Sequence, residues 1–241
     1  MFIYGKTDKG LVREKNEDSF YFEQISENLA FAIVCDGMGG QAGGEVASNR
    51  AIEFISNNLK SNLKVGMKNN SVRYLLESSI QTANTIIYDM SNNDQDLKGM
   101  GTTIVLAVIN NNTLHIAHAG DSRAYLLRAD DLHRLTVDHS IVQSLVDHGE
   151  LTEDQAKVHP NKNIITRALG VQKDIAADLS EVYLQQDDIL LLCTDGLTNL
   201  VDADEIKVAL KEDITLAPEK LIQIANKAGG FDNITAVALV V

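Results

Sequence analysis

Short apolar stretches alternate along this chain with longer ones in which apolar residues recur every three or four positions. The short ones, at 2–7, 30–35, 103–109, 113–119, 123–127, 181–184, 189–193 and 234–241, have the length and β-branched content of strands. Asn110-Asn111-Asn112 between two of them predicts a hairpin turn, because Asn tolerates positive φ, and 128–131 predicts another. Strands joined by such tight turns are antiparallel. The helical pattern is clearest over 70–92, where Val72, Leu75, Leu76, Ile80, Ala83, Ile87 and Met90 form one stripe. A second stripe, Ala47, Ala51, Phe54, Ile55 and Leu59, predicts a helix over 42–64, and two shorter helices are expected near 202–211 and 216–228.

Many of the predicted strands are apolar on both sides, as strands covered by a sheet on one face and helices on the other must be. The fold class is therefore α+β, a four-layer α-β-β-α sandwich of two antiparallel sheets flanked by helix pairs. With no repeat, no low-complexity tract and only two prolines, residues 1–241 read as a single domain. The polar segment 145–166, with His148, His159 and Pro160, interrupts the strands and reads either as a flap over a functional surface or as a passive surface insertion.

The longest apolar runs, such as 104–109, are far shorter than the ~20 residues that a membrane span needs, and no signal-peptide core opens the chain. A cytoplasmic protein is expected. Cys35 and Cys193 each sit in an apolar run and read as buried thiols. A net charge of −13, from 34 acidic and 21 basic residues, argues against nucleic acid and anionic lipid as partners and favours cations.

Gly37-Met38-Gly39-Gly40-Gln41-Ala42 matches a dinucleotide-binding fingerprint, but Asp36 would oppose a pyrophosphate, and no second strand ending in an acidic residue follows at the right spacing. A cysteine-based phosphate loop is excluded as well, because neither cysteine is followed by an arginine at the end of such a loop. What recurs instead is an aspartate at a predicted strand end beside glycine: Asp36-Gly37, Gly120-Asp121, Asp195-Gly196 and Gly230-Phe231-Asp232, with Asn16-Glu17-Asp18 near the N-terminus. Each alone could be a turn. Brought together, such carboxylates would repel one another unless a cation lay among them, and an all-oxygen donor set suits Mg²⁺ or Mn²⁺. The histidines show no zinc-like spacing. Two ions sharing a carboxylate would activate a water and polarise a phosphoryl group.

The motif series Arg13-Glu14-Lys15-Asn16-Glu17-Asp18, Cys35-Asp36-Gly37-Met38-Gly39-Gly40, Gly101-Thr102-Thr103, Gly120-Asp121-Ser122-Arg123, Leu135-Thr136-Val137-Asp138-His139-Ser140, Thr166-Arg167-Ala168-Leu169-Gly170, Thr194-Asp195-Gly196-Leu197 and Asp232-Asn233-Ile234-Thr235 resembles the ordered motifs of the bacterial-type protein phosphatase 2C family. The resemblance implies hydrolysis of phosphoserine and phosphothreonine with two Mg²⁺ or Mn²⁺ ions and a third, weaker one. It implies that Asp36 bridges the two metals, that the Gly37 carbonyl serves one, and that Asp195 and Asp232 complete the other. Asp121 with Asp195 would take the third ion, and Glu17 and Asp18 would act through waters. Arg13 would grip the substrate phosphate, and Asn233 would orient Asp232 or a water. The family further implies phosphoprotein substrates and a cognate Ser/Thr kinase, and a monomer is expected. Eukaryotic relatives carry a histidine, proposed as general acid, where this chain has Met38, so the proton donor is open; His139 is a candidate acid or else a structural histidine in a turn. A calcium-binding module would need its oxygen ligands within one loop, and a catalytically dead relative would lack a ligand; neither condition is met.

Overall fold

The structure is a computed structural model of the chain and describes residues 1–39 and 43–241. The stretch 40–42 of the glycine-rich run, and with it the start expected for the first helix, lies outside the described residues. The strands are β1 (Phe2–Asp8), β2 (Asp18–Ser26), β3 (Leu29–Met38), β4 (Gly101–Thr102), β5 (Ile104–Asn110), β6 (Thr113–Ala119), β7 (Arg123–Arg128), β8 (Asp131–Arg134), β9 (Asp178–Tyr183), β10 (Ile189–Cys193) and β11 (Ile234–Val240). The helices are α1 (Gly43–Asn62), α2 (Asn69–Asn93), α3 (Ile141–Asp147), α4 (Glu153–Lys157), α5 (Asp195–Thr198), α6 (Ala203–Glu212) and α7 (Ala217–Lys227).

One sheet has the order β1-β11-β10-β7-β8 and the other β2-β3-β5-β6-β9, with β4 paired to β3, and every pairing is antiparallel. The period-two rule explains the doubly apolar strands. In β3, Phe31, Ile33 and Cys35 face α1 and α2, while Ala32 and Val34 face the other sheet. In β10, Leu191 and Cys193 face α6 and α7, while Leu190 and Leu192 point between the sheets. Three apolar layers thus separate four layers of structure, the expected sandwich. Both cysteines are buried as free thiols.

The helical stripes pack as read, Ala47, Ala51, Ile55 and Leu59 on α1 and Val72, Leu76, Ile80, Ala83 and Ile87 on α2, but Phe54 lies at the edge of its helix and stays exposed. Asn111 in the β5–β6 turn has φ 53°, as its sequence suggests. Six of these elements were not expected: β2, β4, β8, α5, α3 and α4. The last two lie in the segment between Ser140 and Ile165, whose ends are joined by an isolated antiparallel bridge. Ser140 caps α3 through Gln143, and Thr152 forms a reciprocal capping box with Gln155 on α4.

Candidate active site

The expected aspartates lie on five different chain segments, and the sheet pairing carries them to one edge of the sandwich. Asp36 lies two residues before the end of β3, Asp195 opens α5 just after β10, Asp232 precedes β11, and Asp121 lies in the turn between β6 and β7. A cleft of about 250 Å³ there is lined by Asp36, Asp121, Asp195 and Asp232, with Glu17, the Gly37 backbone and Arg13 at its walls. Asp18 does not line it. It lies beside the cleft wall, directly opposite Asp36 on the neighbouring strand of the same sheet.

Backbone and hydroxyl contacts hold these carboxylates in place. The Asp36 amide donates to Thr103 Oγ1 (3.0 Å), while Thr103 N and Thr102 Oγ1 donate to the Asp36 carbonyl (2.8 and 2.9 Å). Asn199 Nδ2 donates to Asp195 Oδ2 (3.0 Å). Asp18 Oδ2 accepts from Thr194 Oγ1 (2.9 Å) and Thr235 Oγ1 (2.7 Å), whereas its buried Oδ1 has no protein partner. Gly37 packs so tightly that a Cβ would lie 2.1 Å from the Gly44 carbonyl oxygen and 2.6 Å from that of Glu17. The glycine is there for close approach of backbone segments.

Electrostatically the cluster is under strain. Burial, reinforced by the charges of Asp18, Asp195, Asp121 and Asp232, pushes the Asp36 carboxyl well above its ordinary range. Burial also raises Asp121 to about 8, with Asp195 and Asp138 adding to it. Asp18 rises to about 7, mainly by burial, against the lowering effect of its two threonine hydroxyls. Asp195 is raised by burial and by Asp232, and Glu17 by burial. Each of these shifts measures how poorly this pocket tolerates its own negative charge. Divalent cations among these oxygens would reverse the shifts, and hard carboxylate and carbonyl donors fit Mg²⁺ or Mn²⁺.

Arg13 stands at the mouth of the cleft, half-exposed, and donates from Nη2 to Asp232 Oδ2 (2.7 Å). Asn233 differs from expectation: its own backbone N–H, not its side chain, reaches Asp232 Oδ1 (2.9 Å). The side chain instead accepts from Glu17 N (2.8 Å) and donates to the carbonyls of Lys9 (2.9 Å) and Lys15 (2.8 Å). Met38 lines the cleft, and Asn163 and Ile165 reach it from the polar segment 145–166; the sequence pattern did not single out these two residues. His139 does not line the cleft. Its ring lies behind Gly120 and bonds the Gly120 amide, so of the two readings offered for it the structural one fits the geometry.

Among the described residues, the three His, Cys, Asp or Glu side chains whose ligand atoms all lie within 4.8 Å of one another are His118, His139 and Asp178, not the cleft carboxylates. Their atoms are already engaged: His118 Nε2 donates to the Val137 carbonyl, His139 Nδ1 accepts from Gly120 N, and the Arg167 guanidinium abuts His139 and Asp178. A resident cation would have to displace that guanidinium. The cleft, with several oxygens of like charge open to solvent, is the better cation receptor.

Comparison with known proteins agrees with this geometry. Residues 4–145 match the family model described as Protein phosphatase 2C. The chain is 41% identical over 234 residues to the serine/threonine phosphatase stp of Listeria monocytogenes serotype 4b, covering 96% of this chain and 92% of that one. Its structure superposes on the Streptococcus agalactiae serine/threonine phosphatase with a TM-score of 0.90 and 35% identity, over 100% of this chain and 99% of that one. The catalytic domain of the serine/threonine protein phosphatase PstP, solved in complex with two manganese ions, superposes with a TM-score of 0.87 and 35% identity, over 100% and 98%. From its aspartate-lined cleft to its whole-length likeness, the chain belongs to the bacterial-type protein phosphatase 2C family of metal-dependent serine/threonine phosphatases.

Proposed function

We propose that the chain hydrolyses phosphoserine and phosphothreonine in proteins at the cleft formed by Asp36, Asp121, Asp195 and Asp232. The observation that carries this reading is the convergence of these mutually repelling carboxylates with an arginine at the cleft mouth. Asp36, the Gly37 carbonyl, Asp195 and Asp232 would hold two Mg²⁺ or Mn²⁺ ions. Asp121 and Asp195 would hold a third, weaker one, and Glu17 and Asp18 would act through waters. Bound there, the ions supply an acidified water and positive charge for the phosphoryl oxygens.

The chain's own residues have distinct tasks in this scheme. Arg13 presents a planar, permanently charged fork suited to two oxygens of a phosphate dianion, and its present partner Asp232 keeps that fork at the cleft mouth. Asn199 fixes the Asp195 carboxylate, and Thr102 and Thr103 fix the backbone that carries Asp36. Asn233 holds the Lys9–Glu17 segment, and with it Arg13, against the start of β11. Met38 has no proton to give, and no histidine lines the cleft among the described residues, so the departing serine or threonine oxygen would take its proton from a water or from another group of the cleft.

The purified protein should hydrolyse p-nitrophenyl phosphate and a phosphothreonine peptide when Mn²⁺ is added and lose both activities in EDTA. Titration calorimetry should count two tight ions and one weak ion per chain. Activity that survived complete metal removal would overturn the reading.

No helix among the described residues is long and apolar enough to cross a membrane. With that, the net charge of −13 supports a cytoplasmic monomer acting on phosphoproteins and avoiding nucleic acid and anionic lipid surfaces. The family implies that it opposes a Ser/Thr protein kinase.

A further inference from the structure

We propose that His139 is a positioning residue for Asp121: it clamps the Gly120–Asp121 turn to the base of the flap segment through a fixed Nε2–H tautomer. The inference rests on the cleft reading above, because it assigns Asp121 a place there.

The clamp is a reciprocal pair of hydrogen bonds. His139 N donates to the Gly120 carbonyl (2.9 Å), and Gly120 N donates to His139 Nδ1 (3.1 Å). An amide can only donate, so Nδ1 carries no proton and the neutral ring holds its proton on Nε2. Nε2 faces Asp178 Oδ2 at 3.2 Å, which accepts that proton. Arg167 Nη1 is 3.1 Å from the same ring nitrogen but has its own acceptor in Asp178 Oδ1 at 2.7 Å. Burial lowers the His139 pKa, which favours this neutral form. The His118 ring stacks on His139 with centroids 4.6 Å apart and planes 9° from parallel, and its Nε2 is tied to the Val137 carbonyl. The imidazole is therefore held by contacts on its face and at both nitrogens.

Both ends of the clamp connect to parts that matter. On one side Gly120 has φ 116°, and a Cβ there would lie 2.6 Å from Thr103 Cβ, so the turn has little freedom except through its hydrogen bonds. The next residue is Asp121, in the cleft wall. On the other side the His139 carbonyl accepts from Thr166 N (2.8 Å), where the flap segment rejoins the sandwich. Without the imidazole the buried Gly120 N–H would lose its acceptor, and the Asp121 carboxylate would no longer have a fixed backbone beneath it.

The two amide replacements separate this role from mere packing. His139→Asn places an oxygen where Nδ1 stands and keeps the Gly120 bond while giving up Asp178. His139→Gln reaches the Nε2 position and keeps Asp178 while giving up Gly120. With p-nitrophenyl phosphate and Mn²⁺, His139→Gln should lower kcat about tenfold at nearly unchanged KM, the kinetic equivalent of one lost buried hydrogen bond, and His139→Asn should stay within about threefold of wild type. Independently of turnover, ¹⁵N NMR of the metal-free protein should show His139 with an unprotonated Nδ1 and a protonated Nε2. A protonated Nδ1, or Asn and Gln variants impaired alike, would overturn the clamp. A wild-type protein inactive with Mn²⁺ but showing the expected tautomer would instead overturn the phosphatase reading of the cleft and leave the clamp standing.

Discussion

Asp18 stands directly across the β2–β3 ladder from Asp36, so two carboxylates share one cross-strand position, one of them in the cleft wall. Like charges directly opposite one another destabilise a sheet, and burial makes these two worse. Asp36→Asn removes one member of that pair. In EDTA the variant should melt about 2–4 °C above the wild type, the shift expected for roughly 1 kcal/mol in a chain of this size. Its Mn²⁺-dependent turnover should fall by about a thousandfold or more, because the proposed bridging oxygen is gone. Thermal melts and kinetics on the same preparation test the trade directly, and loss of stability together with activity would contradict it.

The same repulsion sets a pH dependence for the metal-free protein. Asp18 is raised from 3.8 to about 7 and Asp121 from 3.8 to about 8, both chiefly by burial. Between the ordinary value and the raised one, the folded state holds protons that the unfolded chain has released. These two groups therefore make stability fall as pH rises from about 4 to about 8, and Asp36, raised well above its ordinary range, adds to the fall. Asp178 and Asp188, pushed down by partners that include His139, Arg167 and Arg128 against the effect of burial, titrate below this window, whereas His115 and His139, both lowered from 6.5 by burial, act in the opposite sense up to about 6.5 and offset part of the fall there. In EDTA the melting temperature should drop by several degrees from pH 5 to pH 8, and Asp18→Asn should flatten the slope. Added Mn²⁺ should raise the melting temperature more at pH 8 than at pH 5. A melting temperature that rises from pH 5 to pH 8 in EDTA would refute this account of the cluster.

Arg13 reaches the cleft from an exposed loop and meets Asp232 there at 2.7 Å. An exposed pair of this kind contributes little to stability, about 0–1 kcal/mol, so its replacement should hardly move the melting temperature. Arg13→Ala should raise KM for a phosphopeptide about tenfold with a smaller change in kcat. Arg13→Lys should recover only part of the loss, because an ammonium cannot present two parallel donors. An unchanged KM would remove Arg13 from phosphate binding.

The layers of the sandwich and the aspartate positions were legible because each leaves a local mark. An apolar strand that must face both a sheet and a helix pair is apolar throughout, as β3 and β5 are, and Asp-Gly at its end marks where it leaves the core. β2 leaves no such mark: Asp18–Ser26 mixes aromatic and polar residues in a half-buried edge strand without a clean alternation. The helices α3 and α4 are too short to carry a stripe, and Val142 is their one buried side chain. Within the site, the carboxylates could be read but their supports could not. Thr194 and Thr235 reach Asp18 from positions more than 170 residues away, and nothing local to either threonine announces that contact.

Asn233 shows the same point in a form that can be measured. Its side chain makes three hydrogen bonds to the 9–17 segment, accepting from Glu17 N and donating to the carbonyls of Lys9 and Lys15. The residue is buried, so truncation strands these backbone groups away from water. Asn233→Ala should cost about 2–3 kcal/mol, seen as a fall of about 5–10 °C in melting temperature. Because Arg13 lies in the released segment, KM for a phosphopeptide should rise along with that fall. Asn233→Asp keeps the acceptor for Glu17 but loses both donors and adds a negative charge beside Asp232. It should therefore melt no higher than the alanine variant when metal is absent, and Mn²⁺ should narrow the gap. An alanine variant that melted within a degree of the wild type would mean that the 9–17 segment is held by other contacts.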